Sequence, residues 1–272
     1  MGARTYDITT RALVMGVLNR TPDSFYAPAA TFALDALLER ADRLVAEGAD
    51  LLDVGGVKAG PGDEVGEAEE LERVVPVVSE LRRRFDIPIS VDTWRASVAA
   101  ASFDEGAQVG NDISGFADPQ YLPVAARAGA TVIATHIRLR PRVADPTPYY
   151  DDVTRTVRDF LVDRRRQAID AGIEERRIVL DAGLDLGKTA AHSLQLLRDS
   201  AELAELGSPL LLSASNKTFL GDLFDLPVSD RRSPSLAAMA VGIGAGCRIV
   251  RVHDVAGSVR VRDALARVLE EA

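Results

Sequence analysis

Residues 12–19 read ALVMGVLN, an apolar run that ends on an asparagine, and residues 50–56 read DLLDVGG. Short apolar runs rich in Val, Ile and Leu are typical of buried β-strands. Runs of the same kind recur along the whole chain, and most of them end on polar residues. The others are IPISVD (87–92), AQVGNDI (107–113), ATVIATHI (130–137), RIVLDAG (177–183), PLLLSAS (209–215) and CRIVRVHD (247–254).

Amphipathic stretches separate these runs. In the first of them, Leu34, Leu37, Ala41 and Leu44 fall on one face of a helix, and the same periodicity returns later in the chain. Eight strands, each followed by a helix, predict a single-domain (β/α)8 TIM barrel over residues 1–272. The alternative is an open doubly wound sheet, which usually has fewer strands and one dominant glycine-rich turn, and no such turn stands out here.

The net charge, the length of the apolar runs and the cysteine content limit the kinds of partner that we expect for this protein. The formal net charge of -9 argues against nucleic acid, whose phosphates need a basic surface. The apolar run at 12–18 is too short to cross a membrane, so we expect no membrane association. The single cysteine, Cys247, forms no internal disulfide and suits a reducing cytoplasm. We therefore expect a cytoplasmic protein that acts on small molecules.

The strand ends carry an unusual set of polar side chains. In a (β/α)8 barrel the active site lies at the carboxyl ends of the strands, so residues there are candidates for function. Helix caps and turns account for Asn and Asp at such positions, but not for Lys, Arg and His. The candidates are Asn19, Asp53, Asp92, Asn111, His136, Asp181, Lys217, Arg251 and His253.

Three of these candidates have side chains that can bind an anion and the metal ion that accompanies it. Arg251 and His253 lie two residues apart on one strand, so they share a face and can bind a phosphate group. Asn19 offers a neutral oxygen to a hard cation. A Mg²⁺ ion that bridges a diphosphate needs few protein ligands and keeps several waters. We therefore expect Mg²⁺ as the cofactor, with Asn19 as its protein ligand.

Three other candidates suit a flat heterocycle. Asp181 can accept from two adjacent N–H groups, Asn111 offers a donor and an acceptor, and Lys217 can donate to a carbonyl or ring nitrogen. Together they complement the edge of a 2-aminopyrimidinone ring. The nearby GLDLGKT (183–189) resembles a phosphate-binding P-loop, but three residues separate its glycines where that loop needs four. We expect this segment to begin a helix instead.

Seven motifs, in order along nearly the whole chain, resemble the dihydropteroate synthase family. The combination of NRTPDSF (19–25) with RVHDV (251–255) is specific, whereas ISVDT or GKT alone is not. The other motifs are DVGG (53–56) followed by GPG (60–62), ISVDT (89–93), NDISG (111–115), LDAG (180–183) followed by GKT (187–189), and SNKTFLG (215–221).

The resemblance implies a reaction and a set of roles. The family joins a dihydropterin-methyl diphosphate to p-aminobenzoate in folate synthesis, with diphosphate departing before the arylamine attacks. A homodimer is expected, because barrels of this family often dimerise. The residues that the resemblance assigns to the pterin are Asp92, Asn111, Asp181 and Lys217. Those assigned to the diphosphate, the Mg²⁺ ion and catalysis are Asn19, Arg251 and His253, together with Lys217.

The second-substrate loop departs from the family. After DVGG the family has Glu-Ser-Thr-Arg-Pro-Gly, whereas this chain has VKAGPG (57–62). The Thr and Arg that frame the arylamine are therefore replaced by Ala59 and Gly60. Lys58 and Arg20 are nearby positive charges that can substitute for the missing Arg only imperfectly. This pattern resembles the divergent second homologue found in some actinobacteria.

Three functions follow from these observations and remain open. The first is an active dihydropteroate synthase that uses a pterin diphosphate and p-aminobenzoate. The second is a catalytically weak or inactive pterin-binding paralogue, which the altered loop favours. The third is a pterin-dependent methyltransferase that passes a methyl group from a folate to a cobalamin protein. That class shares the barrel and the pterin pocket but does not need Arg251 and His253.

Overall fold

The computed structural model describes residues 1–19 and 27–270. Strands β1 to β8 form a closed barrel in which each strand pairs in parallel with the next and β8 pairs back with β1. This confirms the predicted (β/α)8 barrel. The strands are β1 (Leu13–Asn19), β2 (Leu51–Gly55), β3 (Ile89–Asp92), β4 (Val109–Asp112), β5 (Thr131–Thr135), β6 (Ile178–Asp181), β7 (Leu210–Leu212) and β8 (Cys247–Val252).

The helices surround the barrel wall. Thr189 caps α6 in a capping box with His192, so the GKT motif begins a helix, as expected. No helix in the part of the chain that the structure describes has the length and apolar character to cross a membrane. The helices are α1 (Ala27–Ala46), α2 (Glu67–Arg84), α3 (Ala96–Asp104), α4 (Tyr121–Ala128), α5 (Val153–Asp170), α6 (Ala190–Arg198), α7 (Ser200–Ala204), α8 (Thr218–Phe224), α9 (Arg232–Gly244) and α10 (Val255–Glu270).

The barrel interior changes from apolar to polar along the strands. Side chains alternate between the interior and the helices, so every second residue faces inward. On four strands, the residue two positions after the apolar inward residue is polar and also faces inward. These residues are Asp53, Asn111, Asp181 and Arg251. Because all strands point the same way, these polar side chains meet in the carboxyl-end half. The apolar layer below them consists of Leu13, Met15, Leu51, Val109, Ile133, Val179, Leu211 and Ile249.

The pairing of β7 with β8 contains an irregularity that affects the polar half. Leu210 pairs with Cys247, but the next residue, Leu211, pairs with Ile249. One residue of β8, Arg248, is therefore extra, as in a β-bulge, and such bulges re-aim side chains near active sites. Ile249 then packs in the apolar layer, and Arg251 takes the inward position above it.

Candidate active site

Arg251 on β8 lies at the centre of a largely buried ion-pair network. Its Nε donates to Asp53 Oδ2 at 2.6 Å and its Nη2 donates to Asp92 Oδ2 at 2.8 Å. Asp53 is fully buried and also accepts from Ser90 Oγ at 2.6 Å. Asn111 Nδ2 lies 3.3 Å from Asp53 Oδ2. A buried carboxylate needs such partners because an unpaired charge inside a protein is costly. The network holds the guanidinium of Arg251 between β2 and β3.

The charged groups in this network shift one another's pKa values. Burial raises the pKa of the Asp92 carboxyl, and the positive charge of Arg251 opposes that shift. Burial alone would lower the pKa of Arg251, but the carboxylates of Asp53 and Asp92 raise it above its ordinary value. Arg251 therefore stays protonated, while Asp92 takes up a proton more readily than an exposed carboxyl does.

A small cavity of about 60 Å³ opens beside the network. It brings together all four residues that the family resemblance assigns to the pterin, with Arg251 beside them. Ligand pockets usually measure roughly 300–1,000 Å³, so the enclosed space is small for a bicyclic ring. One wall residue, Ala59, comes from the loop after β2. We call it the pterin cavity after the role that the resemblance implies for these residues, and its lining consists of Ala59, Asp92, Asn111, Ile113, Thr135, Asp181, Gly183, Leu186, Ser213, Lys217 and Arg251.

Asp181 ends β6 with its carboxylate held in place. Its Oδ1 accepts from the backbone N–H of Gly183 at 2.8 Å, and Thr135 Oγ1 lies 3.4 Å from its Oδ2. Gly183 is required here, because a Cβ at this left-handed position would lie 1.9 Å from the carbonyl oxygen of His136. Burial raises the pKa of Asp181, and the hydrogen bond from Gly183 partly offsets that shift. The remaining lone pairs of the carboxylate are free to accept from a heterocycle.

Lys217 projects from a loop with a strained but well-supported backbone. The preceding residue, Asn216, is in the left-handed region at φ 58°, which costs roughly 1–3 kcal/mol unless its surroundings hold it there. Its N–H donates to Ser235 Oγ at 3.0 Å, and its carbonyl accepts from Arg231 Nη1 at 3.2 Å. Asp185 accepts from the first backbone N–H groups of α8. Burial lowers the pKa of Lys217, and the carboxylate of Asp185 opposes the shift.

His253 lies on the other side of Arg251, in a second and larger cavity of about 450 Å³. Its Nδ1 lies 3.0 Å from Ser215 Oγ, and its backbone N–H donates to the same oxygen at 3.2 Å. The imidazole remains partly open to solvent, but its partial burial lowers its pKa, and the charges of Arg251, Arg40 and Lys217 lower it further, to about 4. His253 is therefore neutral near pH 7 and becomes a better proton acceptor when an anion binds beside it.

Asn19 occupies the exposed end of β1 and lines a third cavity, of about 350 Å³, rather than the one that contains His253. Among the described residues, no group of three or more His, Cys, Asp or Glu side chains could hold a metal ion. Asn19, the residue predicted to hold Mg²⁺, would supply one amide oxygen. This fits an ion held mainly by diphosphate oxygens and water, and does not fit an all-protein metal site.

Comparison with known proteins decides the family. A family model described as pterin binding enzyme matches residues 15–253. A Mycobacterium leprae protein named inactive dihydropteroate synthase 2 is 42% identical over 264 residues, which are 95% of this chain and 91% of the relative. The dihydropteroate synthase of Haemophilus influenzae is 38% identical over 90% of each chain. A Yersinia pestis dihydropteroate synthase, solved with a sulfonamide drug, superposes with a TM-score of 0.93 at 38% identity and covers 100% of this chain and 98% of its own.

The chain belongs to the dihydropteroate synthase family. It is a dihydropteroate synthase-like, pterin-binding enzyme of the transferase type, and its closed barrel matches the solved members of the family. Its motifs had led to the same family from the sequence alone.

The second-substrate loop of this dihydropteroate synthase homologue is held by a residue from the loop after β5. Arg142 Nη1 donates to the carbonyl oxygens of Lys58 at 3.0 Å and Gly60 at 2.8 Å, and its backbone N–H donates to the Ala59 carbonyl at 3.1 Å. The Lys58 side chain is exposed. Arg20, the other proposed replacement charge, lies outside the described residues. The loop therefore has a fixed position, with Ala59 turned toward the pterin cavity.

His136 does not join the site, so the prediction that it converges with the other strand-end residues is wrong. Its ring packs edge-on against Phe160, with centroids 4.9 Å apart, and its Nδ1 lies 2.8 Å from Nζ of the buried Lys188. The inward residue at this strand end is its neighbour Thr135, which lines the pterin cavity. Side chains alternate along a strand, so a shift of one residue sends His136 into the wall.

The sequence patterns do not indicate two further residues that contact the site. Ser215 sits beside His253, and the SNKTFLG motif does contain it, although nothing in the sequence pairs it with a histidine 38 positions later. Arg142 lies in the irregular stretch between β5 and α5, where no periodicity or spacing marks any residue.

Proposed function

We propose that this chain binds a dihydropterin-methyl diphosphate and carries out dihydropteroate synthase chemistry, with weak activity toward p-aminobenzoate. The observation that carries this proposal is the position of Arg251. It lines both the pterin cavity and the larger cavity that contains His253. A single bound molecule with a pterin at one end and a diphosphate at the other can span the two cavities.

In the proposed complex the pterin edge faces Asp181. Its carboxylate accepts from two neighbouring N–H groups of the ring, Asn111 offers a donor and an acceptor, and Lys217 donates to a ring oxygen or nitrogen. Asp92, already bonded to Arg251, completes the site. Because the carboxylates of Asp181 and Asp92 are held by hydrogen bonds before the ligand arrives, little ordering of these two groups accompanies binding.

The proposed reaction begins with cleavage of the carbon–oxygen bond to diphosphate. The electron pair leaves with the diphosphate oxygen, and the positive charge that remains is spread over the electron-rich pterin. Arg251 and neutral His253 are placed to stabilise the departing anion. Asn19 is the residue we assign to Mg²⁺, and a bound Mg²⁺ ion would neutralise part of the charge on the leaving diphosphate. The arylamine nitrogen then bonds to the carbon and releases its proton to solvent.

The second candidate is a pterin-binding protein that does not complete the condensation. Ala59 and Gly60 lack the hydroxyl and guanidinium that position an arylamine carboxylate in the family, and positioning losses commonly reduce rates by roughly a hundredfold or more. The Mycobacterium leprae relative that bears the name inactive dihydropteroate synthase 2 favours this candidate as well.

Purified protein with pterin diphosphate and Mg²⁺, assayed with and without p-aminobenzoate, separates the candidates. Slow formation of dihydropteroate together with released diphosphate supports the proposal. Binding of the pterin diphosphate with neither product supports the second candidate. Failure to bind any pterin refutes both. Binding of a methylated folate with no response to diphosphate would point to the methyltransferase, against which the buried Arg251 network argues.

We also propose the domain organisation, cellular location and oligomeric state in which this function is carried out. Residues 1–272 act as one pterin-binding domain in the cytoplasm, without nucleic acid or membrane partners, and the chain works as a homodimer. Exposed apolar side chains on α8 and just after it, Leu223, Phe224 and Val228, supply an apolar patch of the kind that marks a protein contact. Sedimentation equilibrium at micromolar protein tests the dimer, and a monomeric mass refutes it.

A further inference from the structure

We propose that Arg40 of α1 is an additional binding residue for the departing diphosphate, which it contacts in the cavity beside β8. This inference rests on the proposed function, because it assigns the terminal phosphate of the same ligand. It extends the anion site beyond Arg251, His253 and Asn19 to a helix on which no residue had been assigned a function.

The cavity has the shape and walls that such a role needs. It measures about 450 Å³ and lies between the carboxyl ends of β7 and β8 and the helices α1 and α9. Its floor is apolar, and its polar lining includes Arg40, Ser215, His253, Arg232 and Asp254. Arg251 lines it on one side and the pterin cavity on the other. A chain of two phosphates that starts at Arg251 therefore leads past His253 into the space that Arg40 borders.

The other charged side chains that line the cavity are already paired with one another or with the barrel. Arg232 Nε donates to Asp254 Oδ2 at 2.7 Å, so these two side chains neutralise each other. The guanidinium of Arg251 already forms ion pairs with Asp53 and Asp92. Arg40 makes no hydrogen bond or ion pair with any residue in the described ranges 1–19 and 27–270. An unpaired guanidinium at the wall of a cavity is suited to bidentate binding of a phosphate.

Helix periodicity explains why Arg40 points toward the cavity. Leu37, Ala41 and Leu44 are buried against the barrel, and Arg40 lies at the edge of that face, three residues after Leu37. Its charge is also one of those that lower the pKa of His253, so both cations border the same space. Arg43 lies one turn away, exposed to solvent, and provides a matched control on the same helix.

Titration calorimetry of the full chain tests the proposal with two probes, Mg²⁺-pyrophosphate and a hydroxymethylpterin that lacks phosphate. Arg40→Ala should weaken pyrophosphate binding by about 10- to 100-fold, as expected for the loss of a charge-assisted hydrogen bond. The hydroxymethylpterin affinity should not change. Arg40→Lys should recover part of the loss, and Arg43→Ala should bind both probes like the parent chain. The effect of Arg40→Ala should shrink at high salt.

Three outcomes overturn the assignment of Arg40. Pyrophosphate affinity that is unchanged in Arg40→Ala removes Arg40 from the site and leaves the proposed function intact if the pterin still binds. Equal loss of both probes shows a structural effect on α1 rather than a phosphate contact. Failure of the parent chain to bind either probe refutes the proposed function together with the role of Arg40.

Discussion

The guanidinium of Arg251 and the carboxylate of Asp53 meet at 2.6 Å in the polar half of the barrel, although they are 198 positions apart in the sequence. Asp53 is fully buried and Arg251 is 17% exposed. The pair joins β8 to β2 across β1 and places the guanidinium at the boundary between the two cavities. Stability and ligand binding therefore depend on the same contact.

Removal of Asp53 should strongly destabilise the fold. Asp53→Ala leaves a charged guanidinium without its closest partner, and loss of one member of a buried pair costs roughly 3–5 kcal/mol. Asp42→Ala is the control, because Asp42 pairs with Arg84 where both side chains are at least 40% exposed. A surface pair of that kind contributes about 0–1 kcal/mol. Urea unfolding measures both, and equal midpoints for the two variants would contradict the structural role given to Asp53.

Pterin binding should weaken as the pH falls. Burial raises the pKa of Asp181, and only its ionised carboxylate accepts two N–H groups from the ring. The favourable contribution is present above this raised pKa and is lost as the carboxyl takes up a proton below it. Asp181→Ala should weaken pterin binding by roughly 2–4 kcal/mol near neutral pH.

Fluorescence titration from pH 5 to 8 measures this dependence. Asp181→Asn serves as the reference, because any pH dependence that it retains belongs to the ligand or to other groups. If the parent chain and Asp181→Asn show the same profile, Asp181 is not the group that titrates in the complex.

Restoring the family residues in the second-substrate loop should raise turnover of p-aminobenzoate. A Cβ at Gly60 meets nothing within 4 Å, so the first side-chain carbon of Gly60→Arg causes no clash. Combined with Ala59→Thr, it should increase kcat/KM by roughly a hundredfold, the size of a typical positioning effect. Sulfonamides that mimic p-aminobenzoate should bind more tightly to the double variant.

Steady-state assays with the single and double variants test this expectation. Pterin affinity should stay near that of the parent chain in the Gly60→Arg single variant, because Gly60 does not line the pterin cavity, whereas Ala59 does. Efficient turnover by the parent chain would show that the VKAGPG loop does not limit the reaction, and Lys58 and Arg20 would then be the residues to replace.

Lys188 should act as a structural residue despite its place in a P-loop-like motif. Its Nζ donates to the carbonyl oxygens of Gly183 at 2.9 Å and Leu186 at 3.1 Å, and lies 2.8 Å from His136 Nδ1. Lys188→Met leaves these buried acceptors without a donor, at a cost of roughly 2–4 kcal/mol. Lys58→Met, at an exposed lysine, should change the free energy of unfolding by less than about 0.5 kcal/mol.

Lys188 should also make the free energy of unfolding depend on pH. Burial lowers the pKa of Lys188 to about 7 from its ordinary 10.5, so between these values the unfolded chain binds more protons at this site than the folded chain. The contribution of Lys188 to stability therefore rises with pH across this range. Lys188→Met should lack this rise in urea unfolding between pH 7 and 10, and a parallel slope in the two proteins would contradict it.

Particular residues show how far sequence reasoning reached. Asp92, Asn111, Asp181 and Lys217 line one cavity, because each follows an apolar strand run and parallel strands end at the same edge, while their binding roles stay predictions. His136 satisfied the same criterion and was misplaced, since the criterion does not tell which side of the strand a terminal residue faces. Arg142 could not be found, because its partners lie 79 to 84 positions earlier in the sequence.

The sequence by itself determined the barrel, the family and the chemical character of the polar rim. Strand and helix periodicities are local, and eight strand–helix units close in one way with their carboxyl ends together. Only the tertiary structure decided which rim residues share a cavity and which charges are already paired. Those properties depend on contacts between distant residues, such as Arg251 with Asp53, and on the absence of such a contact at Arg40 within the described chain. Pairing and burial set the energy of a charge, and neither is a property of local sequence.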